Sequence, residues 1–179
     1  MSVQRIAGRY AKSLVELSQE QNKLDRVLQD MNTMKMASQN KDLALLLKSP
    51  IVNATKKQSV MDALFSKSFD EMTMAFVKLL INKGREPYLP AIADAFIAQY
   101  KKINHISTVK VITAKPLTEA GLNDLRKKLE ASEVTEKSVE IETEVDENLI
   151  GGFVLEIGDK IYDASVAQKL EELKRSFQN

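Results

Sequence analysis

Residues 139–177 read VEIETEVDENLIGGFVLEIGDKIYDASVAQKLEELKRSF, and their periodicity changes twice along the stretch. Val139, Ile141, Thr143 and Val145 alternate with Glu140, Glu142, Glu144 and Asp146. A period of two predicts a half-buried strand with its acids on the solvent face. Asp146-Glu147-Asn148 is a turn cluster, and Leu149-Ile150-Gly151-Gly152 leads into a second alternating run, Phe153, Leu155 and Ile157. Gly158-Asp159 reads as a two-residue hairpin turn, because glycine accepts the positive φ of a primed turn. Ile161-Tyr162-Asp163 returns along that strand. Ser165 with Gln168 three residues on is a capping-box pair. It opens a helix whose stripe, Val166, Leu170, Leu173 and Phe177, has helical spacing.

Upstream, Val109, Val111 and Thr113 alternate as a β-branched strand, Lys115-Pro116 breaks it, and Thr118 caps a helix carrying Leu122, Leu125 and Leu129. Glu133 to Ser138 is polar and loop-like. Residues 105–179 therefore form a small α+β domain with a short mixed sheet. Before a polar hinge at Lys101-Lys102-Ile103-Asn104-His105 the period is helical throughout.

Ile6, Tyr10, Leu14 and Leu17 make the first stripe, and Leu24, Val27, Leu28, Met31 and Met34 the second. A short apolar helix over Leu43 to Leu47 ends at Ser49-Pro50, since the residue before proline avoids the α region. Asn53 or Thr55 caps a fourth helix through Val60, Met61, Leu64 and Phe65. Ser68 with Glu71 is a capping box for a fifth, from Met72 to Ile81, with Gly84 at its end. Pro87 and Pro90 bracket the start of a sixth, with Leu89, Ile92, Ala93, Phe96, Ile97 and Tyr100 on its face. Six such helices with short connections make a bundle over residues 1–104. The fold class is α+β, mainly α. The fifth helix is apolar nearly all round, which suits either a helix enclosed by its neighbours or one left open on one side for a partner's amphipathic helix. Both hold if they apply to different faces.

The 179 residues carry 26 basic and 25 acidic side chains, a formal charge of +1, and no cysteine. Near neutrality argues against a general nucleic-acid coat, and the missing cysteine excludes disulfides, zinc thiolates and cysteine nucleophiles. The most apolar run, Met72 to Ile81, is broken by Lys78 and falls short of the about 20 residues that a span needs. Met1-Ser2-Val3-Gln4-Arg5 has no apolar core of a signal or transit peptide. His105 is the only histidine and reads as a solvated loop residue. Asp146-x-Asn148-x-Ile150-Gly151 begins like a calcium loop, but Ile150 and Ile157 stand where oxygen ligands belong, so it reads as a β-turn. Gly151-Gly152 is followed by no Gly-Lys-Ser/Thr and is no phosphate loop; it suits positive φ or close backbone approach. Lys56-Lys57, Lys101-Lys102, Arg126-Lys127-Lys128 and Lys174-Arg175 lie among acids without interleaved aromatics and read as solvated helix faces. The residues thus present no catalytic group, metal site or cofactor site, and favour an adaptor over an enzyme.

Leu149-Ile150-Gly151-Gly152-Phe153, then Ile157-Gly158-Asp159, Ile161-Tyr162-Asp163-Ala164-Ser165-Val166 and Leu170-Leu173, resemble the closing signature of a known family, the delta subunit of bacterial F-type ATP synthase (oligomycin-sensitivity-conferring protein in mitochondria). Arg9-Tyr10-Ala11-Lys12-Ser13-Leu14 resembles its opening Arg-Tyr-Ala-x-Ala-Leu, with Ser13 where alanine is usual. Asn82-Lys83-Gly84-Arg85 with Leu89, Ile92 and Phe96 resembles its junction between fifth and sixth helices. The resemblance implies a non-catalytic stator subunit without cofactor, one copy in a hetero-oligomeric complex, peripheral at the cytoplasmic face of the bacterial inner membrane. It touches the membrane only through the complex and binds no nucleic acid. The bundle, 1–104, would grip the N-terminal helix of an alpha subunit between the first and fifth helices, lined by Tyr10, Ser13, Leu14, Leu17, Phe76, Leu79 and Leu80. The second domain, 105–179, would hold the C-terminal ends of the b subunits. Proton-driven rotation is thereby coupled to ATP synthesis. An RNA- or ribosome-associated adaptor is the alternative that the basic clusters leave open.

Overall fold

The computed structural model describes residues 2–130 and 138–177. The chain divides into two compact units, Met1–Tyr100 and Lys101–Asn179. Its helices up to the hinge are α1 (Val3–Glu20), α2 (Leu24–Ala37), α3 (Lys41–Lys48), α4 (Ala54–Phe65), α5 (Glu71–Asn82) and α6 (Leu89–Ile103), the last preceded by a 3₁₀ turn at Glu86–Tyr88. Each apolar stripe turns inward: Leu14, Met31, Met34, Leu47, Met61, Leu80, Ile92 and Phe96 are fully buried in one core.

Side-chain oxygens fix the helix starts, as expected where the first N–H groups lack partners. Of the two candidate caps for α4, Asn53 is the one used, accepting from the Lys56 N–H at 2.8 Å. At α5 the Ser68–Glu71 box does not form. Asp70 is the cap, accepting from the Met72 N–H at 3.0 Å, while the Ser68 hydroxyl donates to the Phe65 carbonyl at 3.2 Å. Asp70 is held there from outside the helix. Its own N–H donates to the buried Asp30 carboxylate at 2.8 Å, and the Lys23 ammonium donates to its two oxygens at 3.0 and 2.9 Å.

In two of the basic clusters one lysine departs from the expected solvated face, while Lys56 and Lys102 stay exposed. Lys57 is only 3% exposed, and its ammonium donates to Glu86 Oε1 at 2.6 Å and to the Leu47 carbonyl at 3.1 Å. The carbonyl belongs to the last turn of α3, where a cation is favoured, and the carboxylate supplies the charge that burial demands. Lys101 pairs with Glu140 at 2.8 Å and donates to the Thr108 hydroxyl at 2.9 Å.

The second unit is a four-stranded mixed sheet in the order β2-β1-β3-β4, from β1 (Ile106–Thr113), β2 (Ser138–Val145), β3 (Phe153–Ile157) and β4 (Lys160–Asp163). β1 and β2 are parallel, from Ile106 opposite Ser138 to Thr113 opposite Val145. Parallel neighbours need a crossover, and α7 (Glu119–Glu130) lies between them in sequence, capped by Thr118 Oγ1 accepting from the Gly121 N–H at 3.2 Å. β3 runs antiparallel to β1, and β4 returns from it with Ile157 opposite Lys160 across Gly158, whose φ is +62°. Val109, Val111, Leu129 and Val139 form the buried core. Of the loop expected over Glu133 to Ser138, residues 133–137 lie outside the described residues, and Ser138 already pairs in β2. Alternation along β2 weakens past Ile141, where Thr143 and Val145 are exposed; this strand is an edge, and the buried cluster gathers at its start.

The expected β-turn after β2 is a 3₁₀ turn, Glu147–Leu149, capped by Asp146. Gly152 has φ +79°, and a Cβ there would lie 2.3 Å from the Ala164 carbonyl oxygen, so the chain entering β3 passes the chain leaving β4 at backbone distance. α8 (Val166–Ser176) follows, with half of the expected capping box. Ser165 Oγ accepts from the Gln168 N–H at 3.1 Å, but the Gln168 side chain donates to Glu172 and the Ser165 N–H to Asp163.

Candidate functional site

α5 buries Met72, Thr73, Met74, Val77, Leu80 and Ile81, and leaves Ala75 and Leu79 exposed. It is thus interior on one side and open on the other. α1 buries Ile6, Ala7, Ala11, Leu14, Val15 and Ser18, with Leu17 outside that face. The two open flanks meet at a cleft of about 430 Å³ lined by Leu17, Gln21, Lys23, Glu71, Met72, Ala75, Phe76 and Leu79. Leu17 is 40% and Leu79 46% exposed. Beyond the cleft, Tyr10 meets Phe76 edge to face, with ring centroids 6.5 Å apart, an arrangement that aromatic quadrupoles favour. Phe76 is therefore braced on one side and free on the other.

Of the seven residues expected here, Leu17, Phe76 and Leu79 line the cleft and Tyr10 supports it. Ser13 is exposed on α1, its hydroxyl turned back to the Arg9 carbonyl at 3.2 Å. Leu14 and Leu80 are 1% and 0% exposed and stand in the core behind the wall. Gln21, Lys23, Glu71, Met72 and Ala75 complete the lining. Met72, Ala75 and Leu79 were legible as one helical row at i, i+3 and i+7; the polar rim carried no such signal.

The rim is ordered electrostatically. The Lys23 ammonium, and after it the Met72 N–H, holds the Asp70 carboxyl below the usual aspartate range. That ion pair ties the start of α2 to the start of α5 beside the cleft. An apolar wall of Leu17, Ala75, Phe76 and Leu79 with charged groups at its edge suits the apolar face of an amphipathic helix. Among the described residues no group of three or more His, Cys, Asp or Glu side chains is placed to hold a metal ion, and no helix is long and apolar enough to cross a membrane. The second unit, for which no site residue was predicted, has a hollow of about 620 Å³ between Pro116-Leu117, the start of α7 and Ile150–Phe153.

The fold is a helical bundle with an open apolar cleft, carried on one chain with a small α+β unit. The chain belongs to the ATP synthase delta (OSCP) subunit family, whose model matches residues 6–177. It is 38% identical over 179 residues to the ATP synthase subunit delta of Cytophaga hutchinsonii, a match covering 99% of this chain and 96% of that one. The subunit delta of Chlorobaculum tepidum is 34% identical over 178 residues, covering 99% and 97%. Among solved structures, a chain of the Toxoplasma gondii mitochondrial ATP synthase hexamer matches with a TM-score of 0.72 at 25% identity, over 97% of both chains. The protein is a non-catalytic subunit of ATP synthase with a stator role in the peripheral stalk.

Proposed function

We propose that the first unit clasps the N-terminal helix of an alpha subunit in the cleft between α1 and α5. The second unit holds the C-terminal ends of the b subunits. One copy then ties the stalk to the alpha/beta ring at the cytoplasmic face of the inner membrane, and meets the membrane only through the complex. Keeping the ring from turning with the rotor lets proton-driven torque make ATP.

The observation that carries this reading is the pair of half-exposed leucines, Leu17 and Leu79, facing one cleft from two different helices. A fully buried leucine contributes roughly 1.5–3 kcal/mol, so covering what remains exposed adds roughly 1 kcal/mol at each. Phe76 and Ala75 add further area, and the core beneath, with Leu14 and Leu80, keeps the wall rigid. A stiff wall limits the ordering cost of binding, which otherwise offsets buried area.

Leu79→Asp is expected to weaken binding of a synthetic alpha N-terminal peptide about tenfold or more, because it places a charge in an apolar contact. Helical content by circular dichroism should not change, since Leu79 is outside the core. Calorimetry reads the affinity, and an unchanged value removes the clasp. Truncation after Asn104 should retain peptide binding and lose the b subunits; a truncated chain that still captures b contradicts the division of labour.

A further inference from the structure

α8 carries an apolar stripe that its own unit leaves open. Val166, Leu170, Leu173 and Phe177 are 39, 51, 54 and 86% exposed, and no residue of α8 is buried. Their spacing of four, three and four residues is the d-a-d-a step of a heptad, narrower than the face of a bundle helix. On that register Lys169 falls at g and Lys174 at e, the positions that flank a coiled-coil seam. The acids fall at b and c, away from it, and are engaged within the helix. Glu171 is paired with Arg175 at 3.0 Å, and Glu172 accepts from the Gln168 amide at 3.2 Å. The seam spans about 16 Å at 1.5 Å per residue. At its first turn it continues toward Ile150, which is 68% exposed, with Gly151 lying against Val166.

The charges discriminate between occupants. In a parallel pair of α8 helices, Lys169 of one copy faces Lys174 of the other, g to e′. In an antiparallel pair that overlaps the whole stripe, Lys169 falls beside Ser176 and Lys174 beside Ala167 of the other copy, so no ion pair forms. The parallel arrangement sets like charges together and the antiparallel one gains nothing from them, so neither rewards a second copy. A helix with the same apolar repeat and acids at e and g turns the same contacts into ion pairs. We propose that α8 is one strand of a coiled coil, completed by an amphipathic helix of a partner protein with a heptad apolar repeat flanked by glutamate or aspartate. The proposal rests on the second unit being a docking unit for the stalk, and adds the face, the register and the charge of what docks there.

The test uses the full chain and two synthetic peptides of three heptads with leucine at a and d, one with glutamate and the other with lysine at e and g. Fluorescence anisotropy at low salt should show the glutamate peptide bound about tenfold or more tightly than the lysine peptide, a preference that shrinks as salt is raised. Lys169→Glu with Lys174→Glu should invert the preference. Leu170→Asp with Leu173→Asp should remove binding, while circular dichroism and binding of the alpha N-terminal peptide stay unchanged. Equal affinity for the two peptides, or binding that survives the double aspartate variant, overturns the proposal. So does self-association of the wild-type chain that this variant abolishes. Capture of b subunits separates the two levels. A chain that captures b but ignores the acidic peptide refutes the seam alone, whereas a chain that captures no b refutes the stalk reading.

Discussion

The two units differ in how far they bury their own apolar side chains. The first closes a core that runs from Ala7 to Phe96 and draws on all six of its described helices. Among the described residues the second gathers a small buried cluster, Val109, Val111, Leu129 and Val139, and leaves Ile150, Phe153, Ile161 and the stripe of α8 in solvent. The contrast separates two ways of serving as an anchor. A unit with a complete core presents a cleft on a finished wall, so binding adds to a fold that already stands. A unit with a thin core draws part of its stability from whatever covers it, because binding to the native state alone stabilises that state.

Perturbing each unit at its tightest point sharpens the contrast. Lys57→Ala should cost the first unit about 3–5 kcal/mol, because it leaves the Glu86 carboxylate buried without its cation. Lys57→Met combined with Glu86→Leu should recover most of that loss. Denaturant unfolding measures both, and a mild effect of the single variant would mean that the pair is not buried. Gly152→Ala is expected to cost about 1–3 kcal/mol, since it combines a φ of +79° with a Cβ at 2.3 Å from a backbone oxygen. Hydrogen exchange should show the loss in β3, β4 and α8 with the bundle unchanged; a loss spread over α1 to α6 would break the separation of the two units.

The smallest effect concerns acid. The folded Asp70 carboxyl titrates below its ordinary range, so its contribution is present at neutral pH and is lost as pH falls through the folded value. Asp70→Asn should lower stability near neutrality by about 1 kcal/mol, as asparagine still caps a helix but cannot pair with Lys23. The variant's unfolding midpoint should also change less than the parent's as the medium is acidified. An identical acid dependence would show that the Lys23 pair contributes nothing.

How much of this was legible follows from what periodicity encodes. Stripes such as Ile92 and Phe96, or the alternation of Val109 and Val111, state which face turns inward, and the structure buries those faces. Gly158 announced its hairpin because few residues other than glycine accept that turn. Depth is not encoded. Leu14 and Leu17 belong to one stripe three residues apart, yet one is sealed and the other opens on the cleft. Nor does charge alone reveal burial: Lys56 and Lys57 are neighbours in sequence, and only the second finds a carboxylate and a helix end within reach. The start of α5 went to Asp70 over Ser68 for a related reason, since the deciding partners, Lys23 and Asp30, lie at least forty residues away in the chain. The stripe of α8 says that a face must be covered. What covers it is read from its lysines.

Methyl and amide NMR of the full chain, titrated with a peptide of the alpha-subunit N-terminal helix, tests the clasp most directly. The expected result is a set of shifts gathered at Leu17, Met72, Ala75, Phe76 and Leu79, with α8 unmoved. Shifts centred on α3 and α4, with those five residues silent, would contradict a helix held between α1 and α5.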